Sequence, residues 1–228
     1  MSQKSEQAPE PVDIYLDVDH VWQLDPEHNI PENERRTICA IACMKMIIDY
    51  VVPDKANLSL HNIFNEMRDS GGQNSNMHWK HADEVNYFKK LNLVSWRRNW
   101  LAPNPDPKWF AENEEYNNQQ LVAVSEQMKD ESLAGGYTKQ ALHSIHQSLD
   151  ANLPVIVSVA AGFSENRQDH QIVVNGYGSD GKNEWLYYVD PVLSPEKHQD
   201  RQKVSLEYFL KFFNNRAIFV KQPTPSEI

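Results

Sequence analysis

Residues 37–50 read Thr-Ile-Cys-Ala-Ile-Ala-Cys-Met-Lys-Met-Ile-Ile-Asp-Tyr and hold both cysteines of the 228-residue chain, four positions apart. The run is too short, and too interrupted by Lys45, to span a membrane. Its spacing predicts a buried helix over about 38–50, with Thr37 as the N-cap and Pro53 as the stop. The two cysteines are then inequivalent. Cys39 falls in the first turn, where unpaired N–H groups and the helix dipole favour an anion. Cys43 lies one turn deeper, where those donors are already used, and reads as a small buried apolar residue. A single Cys-x-x-x-Cys pair with no further soft ligand is poor metal equipment. A bridge between consecutive turns would crosslink almost nothing. Core packing of both thiols is the competing reading of this segment.

Helical spacing continues on the C-terminal side. Residues 58–69 carry Leu60, Ile63, Phe64 and Met67 on one face, and Gly71-Gly72 ends the helix. Residues 80–91 repeat the pattern through Ala82, Val85, Phe88 and Leu91, and residues 138–149 through Ala141, Leu142, Ile145 and Leu149. Between the last two, residues 100–130 read as a Pro-, Asn- and Trp-rich loop or insertion. The texture then changes. Leu-Pro-Val-Ile-Val-Ser-Val (153–159), Gln-Ile-Val-Val-Asn-Gly-Tyr-Gly (171–178) and Glu-Trp-Leu-Tyr-Tyr-Val-Asp (184–190) read as strands. A short helix over 205–213 and a last strand over 216–220 follow. The expected architecture is α+β. It comprises a polar tail over 1–12, one domain over 13–221 (helical part about 37–150, sheet part about 153–221), and a tail over 222–228. Residues 13–24 alternate well enough for a strand or two.

Bulk properties narrow the function. The formal charge is -10, from 22 Lys+Arg against 32 Asp+Glu, which disfavours nucleic acid as a partner. Met1 to Gln23 has no basic segment followed by an apolar one, so the expectation is no signal peptide, no membrane partner and a cytoplasmic location. Nothing in the pattern asks for a cofactor. The oligomeric state is not legible.

A thiol nucleophile needs a base and a group to orient that base. His170, entering the apolar strand, is the candidate base. A lone histidine there also has an ordinary structural reading. The hairpin that follows raises its interest. With a three-residue loop at Ser179-Asp180-Gly181 and Gly181 left-handed, residue 170 faces residue 190, which is Asp190. A two-residue loop would put Asp190 on the other face. An acid beside an imidazole fixes its tautomer and stabilises the imidazolium.

Cys39 heading a helix, with His170 and Asp190 on adjacent strands, resembles the papain-like cysteine peptidases. More specifically, the chain resembles the bacteriocin-processing (double-glycine leader) peptidases and their stand-alone relatives. The resemblance is carried by five segments spanning roughly residues 13–220. They are Trp22-Gln23-Leu24-Asp25-Pro26, Cys39-x-x-Ala42-Cys43-x-x-Met46-Ile47, Leu153-Pro154-Val155-Ile156-Val157, His170-x-Ile172-Val173-Val174-x-Gly176-Tyr177 and Val189-Asp190-Pro191. It implies a papain-like fold and thiol acyl-transfer chemistry on a peptide or protein substrate. Gln23 takes the place of the family's oxyanion-hole glutamine, with Asn33 as a rival donor. The leading expectation is a thiol hydrolase cleaving a peptide or isopeptide bond through Cys39, His170 and Asp190. An acyl transferase on the same site and an inactive peptide-binding relative are the alternatives. The chain departs from its relatives in having Ala40-Ile41 where they carry Gly-Pro or Gly-Ala, a bulkier turn expected to narrow the cleft.

Other features have plain readings. The pairs His78/His81 and His143/His146 are spaced for a metal but read as exposed histidines on helix faces. Trp79, Trp96, Trp100 and Trp109 read as packing tryptophans rather than a groove. Gly135-Gly136 reads as a turn before a helix.

Overall fold

The computed structural model describes residues 11–55, 57–73, 78–100, 134–165 and 168–226, with side chains described from Lys139 onward in the helix that opens at Ala134. The expectations for residues 1–10 and 101–130, Trp109 included, lie outside the described residues. The order of elements is β1 (Val12–Tyr15), α1 (Glu32–Arg35), α2 (Cys39–Val51), α3 (Leu60–Asp69), α4 (His81–Lys90), β2 (Val94–Asn99), α5 (Ala134–Asp150), β3 (Val155–Ala160), β4 (Asp169–Ser179), β5 (Glu184–Val189), β6 (Lys203–Ser205), α6 (Leu206–Phe212) and β7 (Phe213–Lys221). The α+β architecture expected from the sequence is the one observed.

Seven described strands form one antiparallel sheet in the order β2-β7-β3-β4-β5-β6, with β1 added to β4. Every position of β3 is buried. Its unbroken apolar run follows from α2 and α5 both packing on β3, β4 and β7, since a strand covered on both faces has no solvent side to make polar. The apolar positions of α2, from Ala40 through Met44, Met46 to Ile48 and Val51, are all buried. The helix is therefore held by packing rather than by capping.

Four local expectations change. The N-cap of α2 is Ile38, with no side-chain cap bond. Thr37 is turned to other work: its hydroxyl donates to the Glu34 carbonyl at 2.9 Å, and its own carbonyl accepts from the Trp79 indole at 2.9 Å. Gly135 and Gly136 lie inside α5 rather than in a turn before it. The strand β2 was not expected, because Arg97-Arg98 breaks its alternation. Its pairing to β7 supplies what the local sequence lacks. Tryptophans do serve as packing residues here: Trp79 and Trp100 are buried, and Trp96 stacks on Phe219.

The fourth change concerns the β4–β5 hairpin. Gly181 is left-handed, with φ of 86°, as expected, but the loop is longer, with Ser179 paired to Glu184. Asp180 braces it by accepting from the Lys182 and Asn183 N–H groups at 2.9 and 2.7 Å. Near the loop the register pairs Gly176 with Tyr187; beyond Asn175 it pairs Val174 with Tyr188. Asn175 is the extra residue of a β-bulge. Had Asn175 taken a ladder position, the loop register would have put Asp190 level with Val173, on the face opposite His170. The bulge instead carries Asp190 level with Ile172, one same-face step from His170. The expected direct opposition of 170 and 190 is thus replaced by a diagonal contact. Two compensating errors, in loop length and in bulge, leave both side chains on one face.

Candidate active site

Cys39 is partly exposed and is the first residue of α2; Cys43 is buried. Burial first, and then the neighbouring Cys39, Asp190 and Glu84, push the Cys43 thiol well up. Cys43 is therefore a neutral packing thiol. Ala40 and Ile41 are 2% and 0% exposed, so their side chains belong to the core.

His170 and Asp190 are buried, and Nε2 of His170 lies 2.7 Å from Oδ1 of Asp190. Cys39 lies close enough to that ring to act on its charge. Burial works to lower the His170 pKa, but the hydrogen bond to Asp190 and the nearness of Cys39, together with their charges, outweigh it and push the ring up to about 10. The imidazole is thus held as a cation through the neutral range, between two acidic partners.

Asp190 is itself fixed from several sides. Its Oδ1 accepts from the Val192 N–H at 3.0 Å. Its carbonyl accepts from His20 Nε2 at 3.2 Å and from the Leu193 N–H at 3.3 Å. The Gln23 N–H donates to the next carbonyl, that of Pro191, at 2.9 Å. Gln23 is 1% exposed, and its Nε2 donates one hydrogen to the Arg35 carbonyl at 3.0 Å. A primary amide nitrogen carries a second hydrogen. Asn33, the rival donor, is exposed on α1. The structure therefore brings Cys39, His170 and Asp190 into one cluster and ties Gln23 to the Asp190-Pro191 turn.

His20 was not singled out from sequence. Nothing in Asp-Val-Asp-His-Val-Trp distinguishes it, because its role depends on a carbonyl 170 residues away. It also lines a cavity of about 370 Å³ with Trp22, His28, Lys45 and Leu60, a space that Cys39, His170 and Asp190 do not line. Three of the paired histidines differ from the exposed helix-face reading: His78 lies before α4, partly buried His81 has its Nε2 3.1 Å from Ser158 Oγ, and His146 stacks on Tyr177. Among the described residues no group of three or more His, Cys, Asp or Glu is arranged to hold a metal ion, and no helix is long and apolar enough to cross a membrane.

The sequence pattern of the Peptidase_C39 like family matches residues 15–217. Solved structures similar to this chain include the peptidase domain of Streptococcus ComA, a bi-functional ABC transporter involved in a quorum sensing pathway. It is 20% identical over 92% of this chain and 99% of that one, with a TM-score of 0.44. A C39-like peptidase from Bacillus anthracis is 13% identical over 93% of this chain and 99% of that one, with a TM-score of 0.47. No functionally curated protein matches.

Proposed function

The chain belongs to the Peptidase_C39 like family, and from that premise we propose that it is a thiol hydrolase cleaving a peptide or isopeptide bond of a peptide or protein substrate. The observation that carries this reading is the buried His170–Asp190 contact of 2.7 Å on a ring whose pKa Cys39 also raises. In the first half-reaction the Cys39 sulfur attacks the substrate carbonyl carbon, and the carbonyl π pair moves onto oxygen. The Cys39 backbone N–H and the second Gln23 amide hydrogen stabilise that oxyanion. The tetrahedral adduct collapses, the C–N bond breaks, and the leaving nitrogen takes the Nδ1 proton of His170. In the second half-reaction neutral His170 takes a proton from water as the water attacks the thioester. Collapse releases the carboxylic product and returns the sulfur to Cys39. Asp190 keeps its hydrogen bond to Nε2 throughout and stabilises the imidazolium whenever it forms.

Alkylation by iodoacetamide near neutral pH tests the pair without a known substrate. Cys39 is expected to react selectively, with Cys43 spared by burial, and His170→Ala is expected to slow the reaction by about tenfold or more. Equal, sluggish labelling of both cysteines would overturn the reading. Amine acceptors added alongside a peptide library separate hydrolysis from acyl transfer.

A further inference from the structure

Helix α4 is fastened to the sheet at two polar points, one buried and one partly buried. Gln171 Nε2 donates to Glu84 Oε1 at 2.9 Å, and one turn earlier on the helix His81 Nε2 meets Ser158 Oγ at 3.1 Å. Ser158 and Gln171 are cross-strand partners in the β3–β4 register. Two side chains of one helical turn thus grip two residues that face each other across the ladder. Such an attachment resists both sliding and rotation of the strands. Gln171 is the residue after His170, so the grip acts one peptide unit from the ring that meets Cys39. Buried polar groups are costly unless paired, and an apolar contact would hold α4 here without that cost. Glu84 is 0% exposed.

We propose that Glu84 is a positioning residue for the Cys39–His170 pair, acting through Gln171 to hold the start of β4 within reach of the α2 N-terminus. This rests on the thiol chemistry proposed above. Glu84 does so as a neutral carboxylic acid. Burial raises its pKa to about 8; the Gln171 hydrogen bond opposes the rise, Asp83 adds to it, and Arg97 on β2 opposes it. The remaining titratable neighbours are Cys43 on α2, which feels the Glu84 charge, and His81 on α4. His81 is held neutral by burial and by Arg216 and Arg97, its pKa lowered to about 3. Ionisation would place an anion in the core, but it would also strengthen the bond from Gln171, which favours the charged form.

The test reads the iodoacetamide rate constant of Cys39 from fragment ions of the tryptic peptide 37–45, at pH 5–10, as the ratio of each protein to the same protein carrying His170→Ala. In the wild-type protein the ratio is expected to be about tenfold or more at pH 7. Glu84→Gln keeps the acceptor for Gln171, so it should match wild type within about twofold at pH 7. Glu84→Ala, if folded, should lose about tenfold at pH 7. A folded Glu84→Gln that loses as much as Glu84→Ala overturns the proposal. So does a folded Glu84→Ala with an unchanged ratio. A wild-type ratio near one at every pH is a different result: it sinks the Cys39–His170 reading itself and this inference with it.

Discussion

Asp190 stands where four hydrogen bonds meet, two on its carboxylate and two on its carbonyl. The hydrogen bond between its carboxylate and the His170 ring is the largest influence raising the His170 pKa. Asp190→Asn preserves the shape and should let the ring titrate well below its present value of about 10, which NMR of the His170 ring protons would measure. The same variant should slow Cys39 alkylation at pH 7 by about tenfold or more; an unchanged His170 titration would refute this account. At this scale the sequence is informative because its signals are local. Cys39 is recognisable as a first-turn residue from a dozen neighbours, and His170 and Asp190 from the strand ends they occupy. Glu84 and His20 are illegible for the opposite reason: each gains its meaning from a residue far away, Gln171 and Asp190 respectively.

The elements that bring these residues together depend on one irregularity. At Asn175 the side chain donates to the Leu16 carbonyl at 2.8 Å while its carbonyl accepts from the Leu16 N–H at 2.8 Å. The segment after β1 thereby holds the bulge out of the β4–β5 ladder. Next to it the backbone comes so close that a Cβ on Gly176 would stand 2.3 Å from the Ile14 carbonyl oxygen, so only glycine fits. Asn175→Val removes the donor and leaves the buried Leu16 carbonyl unpaired, at a cost of about 1–3 kcal/mol in denaturant unfolding. If valine draws position 175 into the ladder, Asp190 turns away from His170 and the Cys39 rate advantage disappears with it. A cost near zero in both measurements would show that the bulge is not set by Asn175. Bulges of this kind cannot be foreseen from a hairpin alone, because β1, a third strand more than 150 residues earlier, creates them. Helices α3 and α4, by contrast, lie almost where the apolar spacing places them.

For the molecule as a whole, Glu84 and His170 make stability depend on pH in overlapping windows. Glu84 binds its proton more tightly when folded, so its contribution is present below its usual 4.5 and is lost as pH rises toward about 8. His170 behaves in the same sense, from its usual 6.5 to about 10. The difference in unfolding free energy between wild type and Glu84→Gln should therefore drift against wild type from pH 4.5 to 8 and then level off. The difference between wild type and His170→Gln should drift likewise from 6.5 to about 10. A flat difference in either window would contradict the corresponding burial argument. The division of the chain into helices and then strands was legible from composition. The place of β7 between β2 and β3 was not, since strand order is set by long-range pairing. That separation also governs events during synthesis. Cys39 emerges from a ribosome more than a hundred residues ahead of His170 and Asp190, roughly ten seconds at ordinary elongation rates. Through that interval the nascent chain carries Cys39 without His170 or Asp190, so the chemistry proposed above has to wait until the second half has been made.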